Sequence, residues 1–322
     1  MKLIQWLSLV LTVIFAPSSL GATELTLAHM FPPASLPDKV AQRFAELVAE
    51  RSQQSLKITV YNNGYLGDER SNLLSLAKGD IDLAVTGDLL ISLFLPDYAI
   101  VNMPFLYRNV DHAMNVYHGP IGAAIREKLI SDHAIQALSW HYVGTRLLTA
   151  NQPVDNFAKL HQLALRLPPD QIWNSTWSAL GVRTSLIPFT QLFSALERKR
   201  VDAQENPPDF IRSSQLYKVQ KYLINSQHLP QRQFVLINRH TFTQKLSPPQ
   251  QQLIEQAAKE ASEWLTAIAK KQQQQDIDWL ITFGEMQFSE FDNSGIIERL
   301  ASLPRKLSPL AEQIYLEIMQ TK

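Results

Sequence analysis

Two short segments of the chain place polar side chains where a buried binding site would need them. In Leu163-Ala164-Leu165-Arg166-Leu167-Pro168-Pro169 three leucines alternate, so an extended segment turns them to one face and Arg166 to the other. Pro168 favours an extended Leu167 and argues against a helix. A guanidinium on a strand of a buried sheet needs an anion, because an unpaired buried charge is costly. The anion is either a ligand or an internal carboxylate, and a plain surface arginine also fits the pattern. The second segment, Gln204-Glu205-Asn206-Pro207-Pro208, leaves a strand at Val201, and its prolines stop helix and sheet alike after Asn206. Asn206 would then offer a donor and an acceptor at the C-terminal end of a strand, where α/β proteins hold ligands. A simple loop satisfies these residues equally well.

Signals of catalysis are missing. The sequence contains no G-x-S-x-G, H-E-x-x-H, G-x-G-x-x-G or P-loop motif. Its eight histidines are scattered, with no helical pair at metal-ligand spacing. His29 and His141 lie near strand ends, and a structural or surface role is expected for both. No cysteine is present, so there is no disulfide, thiolate chemistry or lipid-attachment site. Neither a cofactor nor a metal is expected. The 30 basic and 30 acidic residues balance, so no broad field draws nucleic acid or an anionic membrane. Any bound anion must be held by a few placed charges.

The elements that would position these groups follow a β-α-β pattern. Residues 24–28 read as a strand. Ser35 and Asp38 bracket Pro37 as a capping box, and Val40, Phe44, Leu47 and Val48 form the apolar stripe of the helix that follows. Leu56, Ile58 and Val60 alternate as a strand, a helix runs through Leu73 and Leu76 to Gly79, and alternation resumes at Ile81, Leu83 and Val85. The sequence 76–83 is echoed at 196–203, where a helix with a basic end again feeds a strand opening with a β-branched residue and Asp. Ser247-Pro248-Pro249-Gln250 starts a helix, and no Pro or Gly interrupts the chain to Thr282, which allows roughly 30 residues and about 50 Å in one piece. The glutamine-rich tract 270–276 reads as its solvated face. Trp173 and Trp177, four apart on a helix after Arg166, suit either a pocket wall or the core. At the N-terminus, Lys2, the apolar run 3–15 and the small residues before Gly21 have the layout of a cleavable secretory signal over residues 1–21.

With these residues in place the chain resembles the DctP-type substrate-binding subunits of tripartite ATP-independent periplasmic (TRAP) transporters. The likeness runs through Leu66-Gly67-Asp68-Glu69-Arg70, residues 79–84, Met103-Pro104-Phe105-Leu106-Tyr107, Gly144-Thr145-Arg146, Leu165-Arg166-Leu167-Pro168, Pro188-Phe189, and 201–207. It implies a two-lobed α/β binding protein with crossing strands and a long helix spanning both lobes. The implied lobes are 22–144 with 232–271, and 145–231 with 272–322. The resemblance further implies that Arg166 forms a bidentate pair with a ligand carboxylate, a geometry Lys cannot match. Arg146 and Asn206 would add hydrogen bonds, Phe189 would pack on the carbon skeleton, and Glu69 would meet ligand polar groups. Trp173 joins these as a candidate wall.

The function implied is capture of a small organic acid in the periplasm by a monomer that delivers it to TRAP membrane subunits. A sensor partner is the alternative, and a periplasmic enzyme on the same fold lacks recognisable catalytic residues. Sialate-binding members carry an Asn three residues after the carboxylate-binding arginine. Here that position is Pro169, and a Glu of those members falls on Gly87, with Asp88 beside it. The departure favours a smaller or less polar acid than sialate.

Overall fold

The structure is a computed structural model that describes residues 22–322, so the secretory signal read over 1–21 lies outside the described residues. Among the described residues nine strands form one sheet: Thr23–Ala28 (β1), Leu56–Tyr61 (β2), Leu83–Thr86 (β3), Ile135–Ala150 (β4), Ala164–Leu167 (β5), Arg183–Leu186 (β6), Ala203–Asn206 (β7), Tyr222–Asn238 (β8) and Gln287–Glu290 (β9). Their order is β2-β1-β3-β8-β4-β7-β5-β6, with β9 on β8.

The two ends of this sheet share one plan. β1 pairs in parallel with β2 and β3, and β3 meets β8 antiparallel. Likewise β5 pairs in parallel with β6 and β7, and β7 meets β4 antiparallel. The echo between 76–83 and 196–203 marks this repeat. Asp82 Oδ2 accepts from Thr26 N at 2.9 Å, and Asp202 Oδ2 accepts from Ala164 N at 2.9 Å. Each aspartate thus ties the start of a third strand to the first strand of its own half. The halves are joined by β4 and β8, which run antiparallel over 16 and 17 residues and cross from one lobe to the other. Their pairing breaks register between Tyr142 and Gly144, where Gly144 takes a φ of 127° that other residues rarely adopt.

The long helix is Pro248–Thr282, 35 residues, and Gln250 Oε1 accepts from Ser247 N at 2.9 Å as a capping box requires. Its Ile254, Ala257, Ala261, Leu265 and Ala269 share a core with helix Leu36–Arg51 in the first half, while Ile277 and Leu280 join the core of the second. Both lobes therefore rest on one rod. Helix Leu36–Arg51 buries Val40, Phe44, Leu47 and Val48 as the sequence requires. The last helix, Pro309–Gln320, packs back on the first half, with Ile318 O 2.9 Å from the His112 ring. Among the described residues no helix is long and apolar enough to cross a membrane.

Three local readings change. Ser35 is the N-cap of its helix, but its hydroxyl donates to Pro32 O, and Asp38 accepts from Ala34 N, so no capping box forms there. Residues Gln204–Asn206 are β7 itself rather than a loop after it. Pro208 begins a short helix, Pro208–Ser213, since proline is tolerated in a first helical turn. The tract 270–276 is more than a solvated face. Gln273 Oε1 accepts from Tyr142 Oη at 2.5 Å and Thr145 N at 2.7 Å, and Asp276 is buried against Arg212. These bonds tie the helix to the point where β4 changes lobe.

Candidate ligand site

Arg166 is the charge that the structure leaves open. It sits on β5 among the buried Leu163, Leu165 and Leu167, is itself 1 % exposed, and extends away from their face. Its Nε donates to Ile187 O at 2.7 Å, while its buried Nη2 has no partner. Burial pulls its pKa down to about 9; Glu205 and Glu69 oppose that shift and Arg146 adds to it. The group remains a cation at neutral pH. A desolvated cation with unused donors is a seat for an anion, and a carboxylate matches its fork.

Arg146 is occupied differently. Its Nε and Nη2 bind the Glu205 carboxylate, Nη2 also reaches Glu205 O at 2.7 Å and Asn206 Oδ1 at 3.0 Å, and Nη1 binds Gln231 Oε1. One N–H on Nη1 remains of the five that a guanidinium carries. Trp173, 3 % exposed, lies with its ring centre 4.5 Å from the Arg146 guanidinium carbon, a cation–π contact. Burial alone would raise Glu205, but Arg146 and His228 hold its carboxyl below the usual range. His228 Nε2 lies 3.0 Å from Glu205, and its Nδ1 is 2.9 Å from Ser226 Oγ. Burial lowers the His228 pKa, against the pull of Glu205. Glu205 thus spends its oxygens on Arg146 and His228, and no hydrogen bond joins it to Arg166.

Of the remaining acids, Asp88 is paired within the chain and Glu69 meets only uncharged donors. Asp88 takes two bonds from Arg232, at 2.7 and 3.1 Å, and one from Gln231 Nε2 at 2.9 Å. Glu69 Oε1 accepts from Thr86 Oγ1 at 2.8 Å and Gly87 N at 2.6 Å, and burial raises its pKa. Asn206 Oδ1 accepts from Arg146 Nη2, and Asn206 Nδ2 donates one hydrogen to Gln204 Oε1 at 2.6 Å, which leaves its second hydrogen free.

These side chains converge. Glu69, Arg146, Arg166, Trp173, Phe189 and Asn206 all line one cavity of about 50 Å³ between the strand ends of the two halves, room for a few water-sized groups. Phe31, Phe189 and Phe210 close one end, with Phe31 5.9 Å from Phe189 and 5.0 Å from Phe210 between ring centres. A larger depression, about 720 Å³, lies on the outer face between the long helix and helix Pro120–His133. None of the predicted residues reaches it, and side chains such as Tyr117, Ile125, Leu138, Trp140 and Phe234 line it beside the Lys259–Glu263 pair.

All six residues singled out in the sequence thus share one cavity. Pro168 lines it, while Pro169 is exposed. Trp177 is core, with its ring 5.3 Å from His228. His29 lies 3.3 Å from Asp38, and His141 is fully buried, its pKa pushed down to about 3 by burial. Both are structural. Sequence reading named Asp88 only beside Gly87 and missed Gln231 and Gln233 as cavity residues; both side-chain polar atoms of Gln233 are unpartnered. The alternation Gln231-Arg232-Gln233 held the signal, since residues two apart on a strand share a face.

Comparison with known proteins agrees with this geometry. Residues 27–316 match the family DctP, bacterial extracellular solute-binding protein, family 7. The sialic acid-binding periplasmic protein SiaP of Vibrio cholerae is 27 % identical over 91 % of this chain and 97 % of its own length. The 2,3-diketo-L-gulonate-binding periplasmic protein YiaO of Escherichia coli is 26 % identical over 91 % of this chain and 89 % of its own. Among solved structures, the sugar acid binding protein DctPAm of Advenella mimigardefordensis, in complex with galactonate, superposes with a TM-score of 0.87 at 26 % identity, covering 94 % of this chain and 99 % of that one. With a repeat-built sheet, crossing strands and a spanning helix shared over nearly its whole described length, this chain belongs to the DctP family of bacterial extracellular solute-binding proteins.

Proposed function

We propose that the protein binds a small hydroxylated carboxylic acid between its lobes, holding the carboxylate on Arg166, and delivers it to the membrane subunits of a TRAP transporter. The observation that carries this reading is the buried Arg166 guanidinium, bonded only through Nε to Ile187 O, in a cavity where Arg146 and Asp88 already have charged partners. The Gln233 amide, the free hydrogen of Asn206 and the second oxygen of Glu69 supply partners for hydroxyl groups, while Phe189 and Trp173 supply apolar walls. The relatives' sialic acid, 2,3-diketo-L-gulonate and galactonate are all acids with several polar groups. No nucleophile, base and orienter are grouped in the cavity, which favours binding without turnover.

We read residues 22–144 with 232–271 as the first lobe and 145–231 with 272–322 as the second, with the strands crossing near Gly144 and Gln231. An acid that touches both lobes stabilises the closed form, and the closed form is what the transporter would recognise. The periplasm, reached through a leader over residues 1–21, suits both the family and a transporter partner better than a cytosolic role does. A monomer is sufficient, because the cavity is complete within one chain.

A thermal-shift screen tests the reading, since a ligand that binds only the folded state raises its stability by RT ln(1 + [L]/Kd). Sugar acids and smaller hydroxy acids should raise the midpoint, and their amides should not. A panel in which acids and amides act alike would overturn it.

A further inference from the structure

Two carboxylates of the second half cross to the first half at the ends of the cavity without lining it. Asp170 Oδ2 accepts from Ser92 Oγ at 2.7 Å, and Ser92 in turn accepts from Asn102 Nδ2 at 3.1 Å. Asp170 Oδ1 caps helix Gln171–Ala179 by accepting from Ile172 N at 3.0 Å. That helix carries Trp173, the wall under Arg146. Near the other end, Asp209 Oδ2 accepts from Leu36 N at 3.0 Å, and Asp209 Oδ1 is 3.3 Å from Gln272 Nε2. Leu36 N is one of the first-turn donors that a helix cannot satisfy itself, and Ser35 makes no side-chain cap. Asp170 is 2 % exposed and Asp209 6 %.

We propose that Asp170 and Asp209 are positioning residues for ligand capture: each latches the second lobe to the first as the cleft shuts, one at each end, and neither touches the ligand. This rests on the reading of a cleft that closes on its ligand. An exposed aspartate is content in water, so drawing both into the interface is favourable only when Ser92 Oγ and Leu36 N meet them. Both latches are also opposed by a like charge, Asp88 facing Asp170 and Asp276 facing Asp209. Lys39 and Arg212 partly offset the second. The latches therefore hold the lobes weakly, and the unpaired Arg166 resists closure until an anion arrives. The Asp170 latch does a second thing: through its cap it aligns Trp173, and so Arg146, at the moment of closure.

Closure can be read without knowing the ligand. A Cβ on Gly64 would stand 3.3 Å from Thr190 Cγ2 across the mouth, and the chain has no cysteine of its own. In Gly64→Cys/Thr190→Cys protein, the rate of disulfide formation with oxidised glutathione follows the closed population. We expect Ser92→Ala to slow it about tenfold, the loss of one hydrogen bond to a charged group. Ser92→Thr should restore it, Asp209→Ala, which removes the acceptor for Leu36 N, should slow it independently, and the thermal midpoint should stay near that of the parent. Unchanged rates in both Ser92→Ala and Asp209→Ala would overturn the latches. Absence of any cross-link in the parent would overturn the closing cleft itself and the latches with it.

Discussion

Closure of this cleft should weaken as pH rises, and Asp170 should carry most of the effect. Burial lifts the Asp170 carboxyl to about 7 in the closed structure, with Asp88 adding to the lift against the bonds from Ser92 and Ile172 N. Asp209 is lifted to about 6 by burial and Asp276, against Leu36 N, Lys39 and Arg212. In an open form, where water reaches both, an ordinary value near ~3.9 applies. A group whose pKa is higher in the closed state takes up a proton on closing. Closure is then strongest below about pH 4 and falls progressively as pH climbs to about 7. Between pH 6 and pH 8 the Asp170 contribution changes by about tenfold and that of Asp209 by about twofold. The assay is the closed-to-open ratio from distances between spin labels at Thr59→Cys on β2 and Arg183→Cys on β6, both exposed on the outermost strands. Asp170→Asn keeps the cap acceptor but cannot titrate, so its pH dependence should flatten by about tenfold over that range. Equal slopes in the two proteins would refute the argument.

Other outcomes follow from the same geometry. Sialate should not bind where a true ligand saturates, because Pro169 is exposed, Gly87 has no side chain and Asp88 is committed to Arg232 and Gln231; a micromolar dissociation constant by calorimetry would contradict this. Gln273→Ala should lower the thermal midpoint by a few degrees, since Thr145 N and Tyr142 Oη lose their shared acceptor, a cost of about 1–3 kcal/mol per buried group. Arg166→Lys should bind an acid ligand more weakly than wild type but better than Arg166→Ala, because a point charge replaces a fork. Equal affinity of the lysine variant and wild type would show that bidentate geometry is not used.

Much of the fold was legible because periodicity reports burial directly. The stripe Val40, Phe44, Leu47 and Val48, the alternation around Arg166 and the uninterrupted run after Ser247 each appear as read, and the long helix extends a few residues further. The weak repeat at 76–83 and 196–203 proved to be two aspartates with the same job. What composition hid was pairing. A glutamine-rich tract looks solvated until Gln273 is seen beside the crossing of β4. Arg146 and Asn206 look like ligand donors until Glu205, Gln231 and Gln204 are seen using most of their hydrogens. Such partners lie up to 131 residues apart along the chain, and no local pattern encodes them. Asp170 and Asp209 are not singled out in the sequence for the same reason, since each finds a partner across the cleft.

The central claim is that the Arg166 guanidinium holds a ligand carboxylate, and titration calorimetry on ligand-stripped protein tests it most directly. Galactonate, gulonate, glucuronate and smaller hydroxy acids should be titrated into wild type and Arg166→Ala side by side. At least one acid should bind wild type at micromolar or tighter affinity. The alanine variant should bind that acid roughly 30-fold to several thousand-fold more weakly, the range for removing one member of a desolvated charge pair. Its circular dichroism should be unchanged. Wild-type affinity in the alanine variant would contradict the claim.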